Sequence, residues 1–216
     1  MTWMEAHDRI TFFLSQEGRP WYNQEEIDMA LQQAQRDWLR QELSAAESNG
    51  ESRESLGLIT RIVTGEGTVI DMSADKFKGL VRLLSIECRW KDPQTGSAGT
   101  FVAVRPVSRD ALARTMRNPF GRATDAQPLY VMGQPNVQPG SEPALQVTLL
   151  SESPPSSWRV SFVVEPAQPD GANKPDDLWT GVGPLQQQQI IQRAVQWLMH
   201  QQDNTPAWQR QAQTQT

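Results

Sequence analysis

Asn23-Gln24-Glu25-Glu26-Ile27-Asp28-Met29-Ala30-Leu31 opens the segment from which the architecture of this 216-residue chain is read. Asn23 and Glu26 form a capping-box pattern, in which each side chain satisfies the other's free backbone N–H, and Glu25, Glu26 and Asp28 sit near the positive end of the helix dipole. Ile27, Ala30, Leu31, Ala34 and Trp38 recur at helical spacing, and the stripe continues through Gln41 to Ala45. The segment predicts a long amphipathic helix that must bury one face. Ser48-Asn49-Gly50 ends it, and a short helix or turn is expected over Arg53 to Arg61.

On the N-terminal side, Thr2-Trp3-Met4-Glu5 repeats the capping pattern and predicts a helix over 3–16. Trp3, His7, Ile10, Phe13 and Leu14 form its stripe, and His7 reads as a packed histidine, since no second His or Cys lies at ligand spacing. At the other end Pro184 suits the first turn of a helix whose face is Leu185, Ile191, Ala194, Val195 and Leu198, with Gln186 to Gln189 on a polar or hydrogen-bonding side. Ile27, Leu31, Ala34 and Trp38 are expected to pack with Leu185, Ile191, Val195 and Leu198 as a shared core.

Between these helices the pattern is β. Gly65-Glu66-Gly67 reads as a turn, Thr68-Val69-Ile70 as a short strand and Leu80 to Trp90 as a longer one. Phe101 to Val104 returns as a hairpin partner stopped by Pro106, and Ser108 caps a short helix ended by Asn118-Pro119-Phe120. Strands follow at Leu129–Met132, Leu145–Leu150 and Trp158–Val164, and Glu165–Asp177 reads as an extended connection. The fold class is therefore α+β: a bundle of N- and C-terminal helices with a β-rich middle. The parts are 1–62, helical; 63–175, β-rich with one short helix; 176–202, the helix rejoining the bundle; and 203–216, a Gln-rich tail.

Charge divides along the chain. Residues 1–60 carry 5 basic and 11 acidic side chains, 61–122 carry 11 and 6, and 123–216 carry 4 and 8. The acidic whole, net −5, argues against bulk nucleic-acid binding. Arg105, Arg109, Arg114, Arg117 and Arg122 form the densest basic group and suit an interface or phosphate contact, with Asp110 and Arg114 spaced as an ordinary helix pair. In the tail, Trp208 is the expected anchor on another subunit or a different protein, the alternative being a tail folded back on its own domain.

Catalytic chemistry finds little support in the residues. Only His7 and His200 offer an imidazole base, and neither accompanies a serine elbow. Cys88, the sole cysteine, lies in an apolar strand and reads as a buried, inert thiol that excludes an intrachain disulfide. Gly65-Glu66-Gly67 leads into a strand without the Gly-Lys-Ser/Thr that a phosphate loop needs. Asp176-Asp177 reads as loop polarity. The expectation is a protein without catalytic or metal site and without cofactor, neither membrane-spanning nor exported by a signal peptide, and folded in a reducing cytoplasm.

In order along the chain, Glu26-Ile27-Asp28-Met29-Ala30-Leu31, Phe101-Val102-Ala103-Val104-Arg105-Pro106, Arg117-Asn118-Pro119-Phe120, Pro128-Leu129-Tyr130-Val131-Met132-Gly133 and the helix after Asp176-Asp177-Leu178 resemble the head-to-tail connector, or neck ring, proteins of short-tailed phages, including the crAss-like group. The resemblance implies a virion protein, a dodecameric ring of its own copies around a channel, portal and other neck or tail proteins as partners, and genomic DNA passing nearby. Gln134 to Pro139 and the Gln-rich tail depart from that pattern. Two other readings stay open from the residues alone: a cytoplasmic hydrolase with a dispersed carboxylate pair, and a monomeric protein-binding module.

Overall fold

The computed structural model describes residues 1–18, 22–48, 56–92, 94–118, 120–133 and 145–204. It is an α+β fold in two compact units, a helical one made of 1–59 and 166–216 and a β-rich one made of 60–165.

In the helical unit, α1 (Trp3–Gln16), α2 (Gln24–Ser48) and α4 (Pro184–Asn204) pack against one another. Both capping boxes form: Glu5 N–H donates to Thr2 Oγ1 while Thr2 N–H donates to Glu5, and Glu26 N–H donates to Asn23 Oδ1 at 2.7 Å while Asn23 N–H donates to Glu26. Ile27, Leu31, Ala34 and Trp38 are buried, as are Ile191, Val195 and Leu198. Leu185 departs from this set at 64 % exposure. At about 100° per residue it lies some 200° around α4 from Gln187, and it is Gln187 that faces inward. Phe13 is also exposed, and on α2 burial ends at Leu39, leaving Gln41 in solvent.

The extended segment after Glu165 belongs to the helical unit, so the sequence-based boundary at 175 moves to 165. Its reason is hydrogen bonding. The carbonyls of Asp177 and Pro175 accept the free N–H groups of Trp3 and Met4 at the start of α1, and Trp179 N–H donates to Met1. Such N-terminal donors have no partner inside their own helix. The Trp179 ring packs, tilted, against that of Trp3 with centroids 5.0 Å apart.

The β-rich unit holds two four-stranded sheets. One has the order β1-β8-β3-β4, from β1 (Thr60–Gly65), β3 (Leu80–Arg89), β4 (Val102–Ala103) and β8 (Ser157–Val164), all antiparallel. The other has the order β2-β7-β6-β5, from β2 (Val69–Asp71), β5 (Arg105–Pro106), β6 (Leu129–Gly133) and β7 (Gln146–Leu150), with β5 parallel to β6. Pro106 does not stop the chain's strand: Val104 is the crossing point where it leaves one sheet and enters the edge of the other, a place that tolerates a missing N–H. Thr60 and Arg61, expected as the end of a helix or turn, instead open the strand Thr60–Gly65, which one 3-10 turn at Gly57–Ile59 precedes. The part of that expected turn at 53–55 lies outside the described residues, as do Gln134 to Pro139.

Trp158 fixes the register of β1. Gly65 pairs with it, a Cβ at 65 would stand 2.2 Å from its ring, and the indole N–H donates to Glu66 O at 3.0 Å. Gly65→Ala is therefore expected to destabilise the chain by about 1–3 kcal/mol, the usual range for overpacking. Urea unfolding followed by tryptophan fluorescence reads this out, and an unchanged midpoint would place the Trp158 ring elsewhere.

Candidate functional site: an interaction surface on the third helix

Helix α3 (Arg109–Arg117) is capped by Ser108, whose Oγ accepts Ala111 N–H at 3.2 Å, and none of its side chains is fully buried, Ala111, Leu112 and Thr115 being half-buried. A nine-residue helix with no fully buried side chain gains little from packing. After it, Asn118 organises the turn: its N–H donates to the carbonyls of Arg114 and Thr115, its carbonyl accepts Gly121 and Arg122 N–H, and its side-chain oxygen accepts Phe120 N–H at 3.0 Å. Phe120 is 92 % exposed, and Met116 is exposed as well.

The five arginines are all exposed. Arg105 donates to Gln127 Oε1 at 3.0 Å and pairs with Leu129 at one end of β6, while the Arg109 guanidinium lies against Gly133 at the other. Arg122 reaches Glu152 at 3.5 Å, an exposed pair worth little. Among the described residues Arg109, Arg114 and Arg117 make no ion pair, so the expected Asp110–Arg114 pair does not form. Trp208, the other expected interface residue, lies outside the described residues.

Two further features escaped the sequence reading. On the outer face of the first sheet the Phe101 ring sits between the guanidinium of Arg89 at 4.9 Å and that of Arg159 at 4.4 Å, with Arg159 Nε donating to Glu87 at 2.6 Å. Cross-strand pairing, with Glu87 opposite both Arg159 and Ala103, creates this stack, and nothing in local spacing announces it. In the helical unit, an open groove of about 690 Å³ runs between α1 and α4, lined among others by Phe12, Phe13, Gln188, Ile191 and Gln192. It continues for a further 250 Å³ or so toward Val195, Gln196 and Met199.

Buried and half-buried polar groups act as fasteners. Asp28 accepts His7 Nε2–H at 2.8 Å and the backbone N–H groups of Gly171 and Ala172 at 3.0 Å each. Burial disfavours its charged form, but the bonds from His7, Ala172 and Gly171 outweigh that and hold the carboxyl below its ordinary pKa. Gln35 donates to Ala167 O and accepts the Trp179 indole N–H, and Gln187 donates to the carbonyls of Trp179 and Val182. All three side chains thus hold the 166–183 segment on the helices.

Cys88 is buried, and burial pushes its thiol up to about 12, far from a reactive thiolate. Asp176 and Asp177 are exposed loop residues. Among the described residues no group of three or more His, Cys, Asp or Glu side chains is placed to hold a metal ion, and no helix is long and apolar enough to cross a membrane. No family model matches the chain, and no curated protein matches it.

Proposed function

We propose that the chain is a structural subunit of a virion, a head-to-tail connector that forms a neck ring between portal and tail and surrounds the DNA channel. The observation that carries this reading is α3. A helix that fully buries none of its side chains, shows Arg109, Arg114 and Arg117 without ion-pair partners among the described residues, and leads into an exposed Phe120 is a surface suited to another protein. Aromatic and arginine side chains dominate the centres of protein interfaces.

Charge distribution supports assembly with like copies. The helical unit holds 8 basic and 15 acidic residues, net −7, whereas the β-rich unit holds 12 and 10, net +2. In a head-to-tail ring two different surfaces of the same chain meet, and opposite charge steers that encounter. Portal and neighbouring neck proteins are the further partners on this reading.

The double substitution Arg114→Glu and Arg117→Glu tests it. Assembly measured by sedimentation velocity is expected to be lost or shifted to at least ~10-fold higher concentration, with the thermal midpoint of the isolated chain nearly unchanged, because exposed charges contribute about 0–1 kcal/mol to stability. Intact assembly at low salt would show that these arginines are only a solvated face.

A further inference from the structure

The α1–α4 groove is an exposed apolar feature that the bundle leaves open: Phe12 is 58 % exposed and Phe13 41 %, over a floor that includes Ile191 and Val195. Along one wall Gln188, Gln192 and Gln196 follow at intervals of four residues, all in solvent, so their amides form a row on one face of α4. The charged residues of the lining are Asp8, Arg9 and Glu17, which leaves the groove net negative.

Residues 205–216 of the same sequence have the matching chemistry. They contain one large apolar side chain, Trp208, one charge, Arg210, and glutamines at 209, 211, 213 and 215. An indole suits the Phe12–Phe13 floor, a guanidinium suits Asp8 or Glu17, and glutamine amides pair with glutamine amides.

Reach decides whose segment is received. Trp208 follows the last residue of α4, Asn204, by four positions, and four residues span at most about 14 Å. Gln192 lies about 18 Å and Gln188 about 24 Å back along the helix from Asn204, at 1.5 Å per residue. Part of the short length is also used in reversing direction, so a chain's own Trp208 falls short of the Phe12 end of its own groove. A neighbouring copy has no such restriction.

We propose that the α1–α4 groove receives the 205–216 segment of a second copy, with the neighbour's Trp208 seated against Phe12, Phe13 and Ile191. Each copy then donates one segment and offers one groove. Such a contact is heterologous and propagates head to tail until it closes. This deepens the ring reading and rests on it.

Complementation of two full-length variants tests the docking. Phe12→Asp spoils the groove at an exposed position and leaves the segment intact; Trp208→Ala spoils the segment and leaves the groove intact. Each alone is expected to need at least ~30-fold more protein to assemble than the natural chain, as for loss of an aromatic anchor. Mixed in equal amounts, they are expected to form a dimer and stop there, since only one good groove and one good segment meet. Native mass spectrometry counts the chains, and circular dichroism checks that both variants fold. As a second tail variant, deletion of 205–216 should behave as Trp208→Ala does. If either variant assembles as the natural chain does, or if the folded variants stay monomeric when mixed, the docking is wrong, while assembly of the natural chain still upholds the ring. If the natural chain is itself monomeric, both readings fall.

Discussion

Asp28→Ala is expected to destabilise the protein by about 2–3 kcal/mol, the cost of leaving several donors unpaired around a half-buried carboxylate. Three donors lose their acceptor together: the His7 imidazole and the N–H groups of Gly171 and Ala172. They cannot regroup easily, because Gly171 backbone lies so close to the His7 ring that a Cβ there would come within 2.4 Å of Nε2. The same site predicts an acid limb. With its pKa below the value of about 3.9 in the unfolded chain, the carboxylate contributes its full stabilisation above that value. The contribution fades as pH falls through the lowered folded pKa, because the unfolded state takes up the proton first. Urea titrations from pH 6 downward should show this loss in the natural chain and a weaker one in the variant. A loss under 1 kcal/mol at neutral pH would mean that Asp28 does not fasten the 166–183 segment.

Trp38→Ala is expected to cost more, about 3–5 kcal/mol. Trp38 is among the largest fully buried side chains, and its removal leaves a cavity at the α2 face that packs on α4. Its indole N–H is the one buried side-chain polar atom among the described residues without a partner. Trp38→Phe should therefore lose clearly less than Trp38→Ala, since the ring that remains fills most of the space and no hydrogen bond is broken. Equal losses for the two would show that the N–H is bonded after all.

The helices were legible because their signals are local. Thr2 with Glu5, Asn23 with Glu26 and Pro184 mark starts within one turn, and the Ile27-to-Trp38 period marks the buried face. What escaped the sequence depends on partners far along the chain. Gln35 and Gln187 are polar residues buried because backbone carbonyls need them, and the Gln35–Ala167 bond spans 132 positions. The strand β1 hides for a different reason: Arg61 stands opposite the buried Phe162 while Ile62 is 61 % exposed, so the alternation runs against burial. Phe13 had the right spacing for the α1 stripe, yet whether a helix residue is covered depends on how far the neighbouring helix extends, and at Phe13 the groove begins. The group of arginines was legible as composition; that α3 fully buries none of its side chains was not.

Assembly is the central claim, and the mass of the full-length chain in native buffer tests it most directly. Native mass spectrometry or electron microscopy at tens of micromolar should show a closed ring, a fixed multiple of the 24.3 kDa chain. A particle that remains a 24.3 kDa monomer at high concentration would contradict the account.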